Sequence, residues 1–312
     1  MNISNISPIA IFVYNRIEHL KLTIESLQKN KLSFDSKLYI FSDGAKSEND
    51  KEKISEIRNY IADIKGFKKI EIIERNENFG LAKNIISGVS EIIEKFGKII
   101  VLEDDLVVSH DFLEYMNRAL EFYENNENIF SISAYSGAIK IPENYKNDVF
   151  LLKRINSWGW ASWKNRWQTI DWQMSDFEDF IKDKHQRNQL NKSGLDLSIM
   201  LLKQYQKKIN SWAIRFNYAC YKQNKLNVYP IGTKVINKGA DGSGSNLKKT
   251  SKFKTELNTK KTIFPLHLTE NKQIAENYSN FLKPSIFRQI INFFKIRLFL
   301  FNLKIFNCKK KL

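Results

Sequence analysis

The chain has 312 residues, 42% of them hydrophobic and 27% charged, enough for a sizeable core in one large domain or in a domain with appended elements. Its formal charge of +16 is concentrated after residue 247, where fifteen Lys and Arg face three Glu; no nucleic-acid recognition motif is interleaved with them, which argues against a nucleic-acid binder. Two cysteines, Cys220 and Cys308, exclude a disulfide framework, and MNISNIS has neither the basic start nor the apolar length of a secretion signal, so a cytoplasmic setting is expected.

Pro8 to Tyr14 (PIAIFVY) reads as a buried strand, and Asn15 to Asn30 places Ile17, Leu20, Ile24 and Leu27 at helical spacing. Leu38 to Phe41 is a second strand, closed by Ser42, Asp43 and Gly44, and Glu48 to Ile64 repeats isoleucine along one helical face. Lys69 to Ile73 is a third strand, followed by a loop from Arg75 to Gly80 and a helix from about Leu81 to Lys95. The fourth strand, Ile99 to Leu102, runs straight into Glu103, Asp104 and Asp105. These strand–helix alternations predict an α/β fold with a doubly wound, mostly parallel sheet whose ligand crevice lies outside the carboxyl ends of its strands. Four polar clusters should therefore share one rim: Asn15 with Arg16, Ser42 to Gly44, Asn76 to Gly80, and Glu103 to Asp105.

Three adjacent acids beside a buried strand repel one another and titrate high unless a cation compensates them. A divalent ion is a natural compensation, because carboxylates are hard oxygen ligands suited to Mg²⁺ or Mn²⁺; a solvated acidic turn is the plain alternative. No GxGxxG follows the first strand and no GK[ST] loop is present, so the dinucleotide and P-loop readings are weak.

Phe112 to Asn125 is expected to be a helix, IFSIS a short strand, and Ala134 to Asp148 an irregular polar loop. Five of the six tryptophans then fall between Trp158 and Trp172, with Arg154, Lys164 and Arg166 around them. Such a stripe is either core or a sugar platform; with Gly159 between Trp158 and Trp160, this segment is expected to close over a sugar. The carboxylates after it that could serve as a base are Asp171, Asp176, Glu178, Asp179, Asp183, Asp196 and Asp241. Asp196 opens an apolar helix, where it gains from the dipole or simply caps the first turn. In the tail, Phe287, Ile290, Ile291, Phe294, Leu298, Phe301 and Ile305 fall on one helical side, interrupted too often by Arg and Lys to span a bilayer. The stretch 285–308 reads as an interfacial helix offering cations to anionic lipid, with packing on the domain as the alternative.

YNRIEHLKLTIESL, FSDGAK, NENFGLAKNIISGV and LEDDLVVSHDFL, in that order, resemble the nucleotide-sugar half of GT-A glycosyltransferases, close to family 2 and to bacterial enzymes of surface-polysaccharide synthesis; SWGWASWKNRW, NSWAIRFNYA and GADGSGSN extend the likeness through residues 8–246. The resemblance implies a GT-A domain over 1–250, nucleotide-binding in 1–133 and donor-sugar and acceptor-binding in 134–250, followed by a basic region over 251–312. It also implies a hexosyl- or N-acetylhexosaminyltransferase that takes a nucleoside diphosphate sugar, a UDP-sugar in the first place, and inverts its anomeric centre, with Mn²⁺ or Mg²⁺ as cofactor. A glycan or lipid-linked acceptor at the inner face of a membrane is the implied partner. Tyr14, Asn15 and Arg16 would line the base pocket, Asp43 would bond the base or ribose, Asn78 and Lys83 would flank the ribose and diphosphate, and Asp104 would contact ribose or sugar. Asp105 would hold the metal, Glu103 would be structural, and Asp196 best matches the family's base. Asn246 stands where such enzymes often carry a metal-binding histidine and could ligate only through its amide oxygen; Asn210 stands where an acid is common. Those two departures keep a non-catalytic scaffold open as an alternative, and a sugar-nucleotide nucleotidyltransferase is disfavoured because VYNRIEHL is not its glycine-rich basic loop.

Overall fold

The structure, a computed structural model, describes residues 5–244 and 249–309. The first half alternates β1 (Ile9–Val13), α1 (Ile17–Gln28), β2 (Lys37–Ser42), α2 (Glu48–Ala62), β3 (Lys69–Glu74), α3 (Gly80–Phe96) and β4 (Lys98–Glu103). Strands β3, β2, β1 and β4 lie side by side and parallel. Every residue of β1 is buried, because helices cover both faces: Ile9, Ile11 and Val13 face α1, while Ala10 and Phe12 face α3. The expected α/β fold with a doubly wound sheet is therefore present.

The second half departs from simple alternation. After β5 (Leu106–Val108), α4 (Phe112–Phe122) and β6 (Ile129–Ser133) come β7 (Val149–Leu152), β8 (Trp160–Trp163), the short helices α5 (Lys164–Trp167), α6 (Phe177–Lys182) and α7 (Lys184–Asn191), then α8 (Leu197–Tyr205), α9 (Trp212–Lys222), β9 (Leu226–Pro230) and β10 (Val235–Asn237). Strand β8 pairs antiparallel with β4, and the eight-stranded sheet runs β3-β2-β1-β4-β8-β6-β9-β7. A separate antiparallel pair, β5 with β10, lies just past the end of β4 and brings residue 237 opposite residue 106.

The basic C-terminal region packs onto this body. Helix α10 (Lys272–Leu282) places Ile274 and Tyr278 with Phe150 and Tyr229, and α11 (Ile286–Lys309) sets Ile296, Phe299, Leu300 and Leu303 against the cluster around Phe177 and Leu201. The face expected to be interfacial stays open: Phe287 is 74% exposed, Phe294 63% and Phe301 61%. The helix therefore packs on the domain through a second apolar stripe, the alternative to the interfacial reading, and leaves the first stripe exposed. No described helix is long and apolar enough to cross a membrane.

Candidate active site

The parallel register of β1 and β4 sets Phe12 opposite Glu103, so the loop leaving β1 meets the acidic turn leaving β4. There Arg16 Nη2 donates to Asp104 Oδ1 and, at 2.8 Å, to Asp105 Oδ2. Arg16, expected with Tyr14 and Asn15 at a base pocket, turns its guanidinium to the acidic turn, where it is the compensating cation for the adjacent carboxylates. Even so, burial and the neighbouring carboxylates push the Glu103 carboxyl up to about 8. Burial pushes Asp104 up to about 6, with Arg16 opposing it and Asp105 adding to it. Burial works against the charge of Arg16, but the two aspartates outweigh it and raise its pKa further.

The turn is roofed by the chain after β10. Lys238 N donates to Asp105 O (2.8 Å), Asn237 Nδ2 lies 3.4 Å from Asp105 Oδ1, and a Cβ on Gly239 would collide with Asp105 Oδ2. Only glycine lets the backbone lie this close. Two buried polar atoms here have no partner among the described residues: Arg16 Nη1 and Asn237 Oδ1. A buried donor and a buried oxygen acceptor left unmet are costly in a finished interior and suit a ligand site. The carboxylates of Asp104 and Asp105 are hard oxygen donors of the kind Mg²⁺ or Mn²⁺ takes, and the unmet amide oxygen of Asn237 is a third of the same type on the neighbouring segment. No group of three or more His, Cys, Asp or Glu able to share an ion occurs among the described residues, so a hard ion here would complete its shell with ligand oxygens. Asn246 lies outside the described residues.

A second corner of the rim is built by Asp43. Its Oδ1 accepts from Gly44 N (2.9 Å) and Phe79 N (2.8 Å), and its Oδ2 from Gly80 N (2.9 Å) and Asn78 Nδ2 (3.3 Å). The carboxylate thus ties the loop after β2 to the start of α3, and Asn78 Nδ2 also donates to Gly44 O at 2.8 Å. Asn15 donates to Asp50 Oδ1 (2.9 Å) in the first turn of α2, and the Tyr14 hydroxyl accepts from Lys46 N (3.1 Å). Lys83 lies over the Phe79 ring, 3.7 Å from its centroid, and 3.5 Å from Glu77. Arg75, unremarked in the sequence, stacks on Phe41 and Phe79 and leaves Nη2 without a partner among the described residues.

The tryptophan segment requires a correction. Trp160, expected on a sugar platform, is buried in β8 between Trp167 and Trp212 at centroid distances of 5.7 and 5.0 Å, with Phe216 beside it. Trp163 and Trp167 are buried as well, and Arg166 is spent on the carbonyls of Ile129, Glu124 and Asn126. Large apolar rings find more partners inside the sheet than a sugar offers. Trp158 alone of the named pair is partly exposed, held edge-on by Tyr135 (4.6 Å) and Phe253 (5.3 Å). Gly159 next to it has φ +62°, and its added Cβ would press on Ala134.

Asp196 does not cap α8. Its side chain makes no bond to the helix amides and forms a two-pronged pair with Arg154 instead, at 2.7 and 2.8 Å. Burial opposes the charge, but the guanidinium outweighs it and holds the Asp196 carboxyl below the usual range; it remains 23% exposed. Gly194 makes the pair possible, since a Cβ there would strike Arg154 Nη1. A relay of contacts joins this pair to the acidic turn: Arg154 lies by Tyr278, Tyr278 accepts from Asn156 (3.3 Å), Asn156 accepts from Trp158 N (2.8 Å), and Gly159 abuts Leu102.

Comparison with curated proteins returns no relative. Among solved structures, a mannosyltransferase from Pyrobaculum calidifontis, described in complex with GDP-Man and Mn²⁺, is 9% identical with a TM-score of 0.34 over 52% of this chain and 46% of its own. TarS of S. aureus is 12% identical with a TM-score of 0.30 over 46% of this chain. This chain thus covers about half of the first and 24% of the second. A family model described as Glycosyl transferase family 2 matches residues 9–186, more than half of the chain, from β1 through the acidic turn and into α7. The chain belongs to glycosyl transferase family 2, and its doubly wound sheet is the GT-A fold.

Proposed function

We propose that this chain is a glycosyltransferase that takes its sugar from a nucleoside diphosphate donor, a UDP-sugar in the first place, and moves it with inversion to a glycan or lipid-linked acceptor in surface-polysaccharide synthesis. The observation that carries the reading is the buried Asp104–Asp105 turn with its Arg16 counter-charge and two unmet polar atoms. Asp105, with Asp104 and the Asn237 amide oxygen, would hold Mg²⁺ or Mn²⁺, which when bound offsets charge on the departing diphosphate. Arg16 offers its Nη1–H, which has no partner among the described residues, to a phosphate oxygen. Tyr14, Asp43, Asn78 and Lys83 form the nucleotide end, with Trp158 against the sugar. In the transfer, an acceptor hydroxyl oxygen bonds to the anomeric carbon as the carbon–oxygen bond to the diphosphate breaks, and Asp196, oriented by Arg154, takes the hydroxyl proton.

Residues 1–133 serve the nucleotide and 134–250 the sugar and acceptor in this reading. The exposed Phe287, Phe294 and Phe301, with Arg288, Lys295, Arg297 and Lys304 also exposed on α11, support docking on an anionic membrane face, where a lipid-linked acceptor resides. A second reading keeps the same donor but no metal: Arg16 already neutralises the turn, and chelation would leave that enzyme active.

The test is incubation with UDP-, GDP-, CDP- and dTDP-sugars, with and without Mn²⁺, and detection of released nucleoside diphosphate. Release from one donor, lost in Asp105→Ala, supports the reading; no release from any donor in either condition rejects it.

A further inference from the structure

Arg154, which orients Asp196, also lines a cleft of about 1230 Å³ walled by α7, α10 and the ends of β7 and α9. Six cations line it, Lys153, Arg154, Lys192, Lys222, Lys272 and Lys283, against the carboxylates of Glu270 and Glu276. Arg154 is committed to Asp196, Lys222 to Asp176 (2.6 Å), and Lys272 lies 4.0 Å from Glu276. Lys192 and Lys283 form no ion pair among the described residues, Lys153 donates to Asn224 Oδ1 at 3.0 Å, and all three are exposed. Side-chain amides also line it: Gln186 donates to Asp183, Gln189 pairs with His185, Asn191 accepts from Ser198 N and Asn224 from Lys153, each keeping part of its capacity, while Asn188 and Asn280 keep both a donor and an acceptor. Aromatic faces are scarce: Tyr278 is buried, and the Tyr221 hydroxyl is spent on Gln186 O at 3.0 Å.

A concave wall of amides suits hydroxyl groups, and uncommitted ammonium groups add a field that concentrates anions. We propose that this cleft binds the acceptor and that the acceptor is an anionic glycan, with units bearing carboxylate or phosphate groups. The inference rests on the transferase reading, because the cleft matters to the reaction through Arg154 and Asp196. It specifies the acceptor class, which the donor rim does not.

The experiment measures binding of a galacturonic acid hexamer, a glycerol phosphate hexamer and neutral maltohexaose by calorimetry at low and high salt. The wild type is compared with Lys192→Glu/Lys283→Glu in the cleft and Lys295→Glu/Arg297→Glu on α11. Each sample is also tested for thermal stabilisation by nucleoside diphosphates. The expected result is that at least one of the two anionic hexamers binds, the tighter one naming the charged group; maltohexaose binds at least tenfold more weakly. The cleft variant should lose at least tenfold in affinity while its response to nucleotide is unchanged, and the α11 variant should bind as the wild type does. Equal binding of maltohexaose, equal loss in both variants, or no binding of either anion by a protein that responds to nucleotide overturns the proposal. Absence of any nucleotide response strikes the transferase reading instead.

Discussion

Replacing Arg16 by methionine keeps an apolar stem and removes the one cation seen to contact the Asp104–Asp105 turn among the described residues. The two carboxylates are only 5% and 11% exposed, so solvent replaces little of the lost interaction. At an effective dielectric of about 20, charges about 3.5 Å apart attract by about 5 kcal/mol. Stripping one partner from a buried pair typically costs about 3–5 kcal/mol. Proton uptake caps the loss: neutralising an ordinary aspartate takes about 5 kcal/mol at pH 7.5 and about 1.5 kcal/mol at pH 5. The variant should therefore lose about 4 kcal/mol at pH 7.5 and about 1.5 kcal/mol at pH 5. The sign follows from linkage. A carboxyl raised in the folded state holds more protons there than in the unfolded chain, so stability falls as pH climbs from about 4 toward the raised folded value. Urea unfolding at the two pH values reads this difference directly. Mn²⁺ at a hundred times its dissociation constant should restore about 2.7 kcal/mol in the variant and stabilise the wild type less, because Arg16 already supplies charge there. An equal loss at both pH values, or a larger Mn²⁺ effect on the wild type, would refute the reasoning.

Asp43→Ala removes an acceptor that holds three backbone amides and one side-chain amide, and should cost about 3 kcal/mol in chemical denaturation whether or not nucleotide is present. Gly239→Ala drives a methyl group into Asp105 and should abolish nucleotide-dependent stabilisation while the melting temperature without ligand changes far less than in Asp43→Ala. Asp196→Asn should lower kcat by about 100-fold or more with donor KM unchanged, since the amide cannot take a proton. Because Arg154 depresses the Asp196 pKa, its ionised form contributes stability above about pH 4 that is lost as pH falls through the depressed value; Asp196→Asn should flatten that acid limb of stability. Phe294→Glu with Phe301→Glu should reduce co-sedimentation with phosphatidylglycerol vesicles without shifting the melting temperature, both rings being exposed.

The parallel half of the sheet was legible because burial on both faces writes itself as unbroken apolar runs such as IAIFV and KIIVLE, separated by helices with one apolar stripe. The pairing of β5 with β10 was not, since three-residue strands carry no period and their partners lie more than a hundred residues apart. That pairing sets Asn237 and Gly239 over Asp105, so this part of the site had no local signature. Arg16 was read from its neighbours Tyr14 and Asn15, whereas its partner is fixed by the register of β1 against β4. Trp160 shows the same limit: its choice between core and surface depended on Trp212 and Phe216, which only the packing of α9 brings to it. Asp196 was found at the start of a helix, but Arg154, which turns it away from capping, comes from the segment after β7.

The central claim is that the Asp104–Asp105 turn binds a nucleoside diphosphate together with a divalent cation. Thermal stabilisation by UDP, GDP, CDP and dTDP, each with Mn²⁺ or with a chelator, on the wild type and Asp105→Ala, tests it most directly. The account predicts a rise with one nucleotide, UDP in the first place, that needs Mn²⁺ and vanishes in Asp105→Ala. A rise that survives both chelation and Asp105→Ala, or none with any nucleotide, would contradict it.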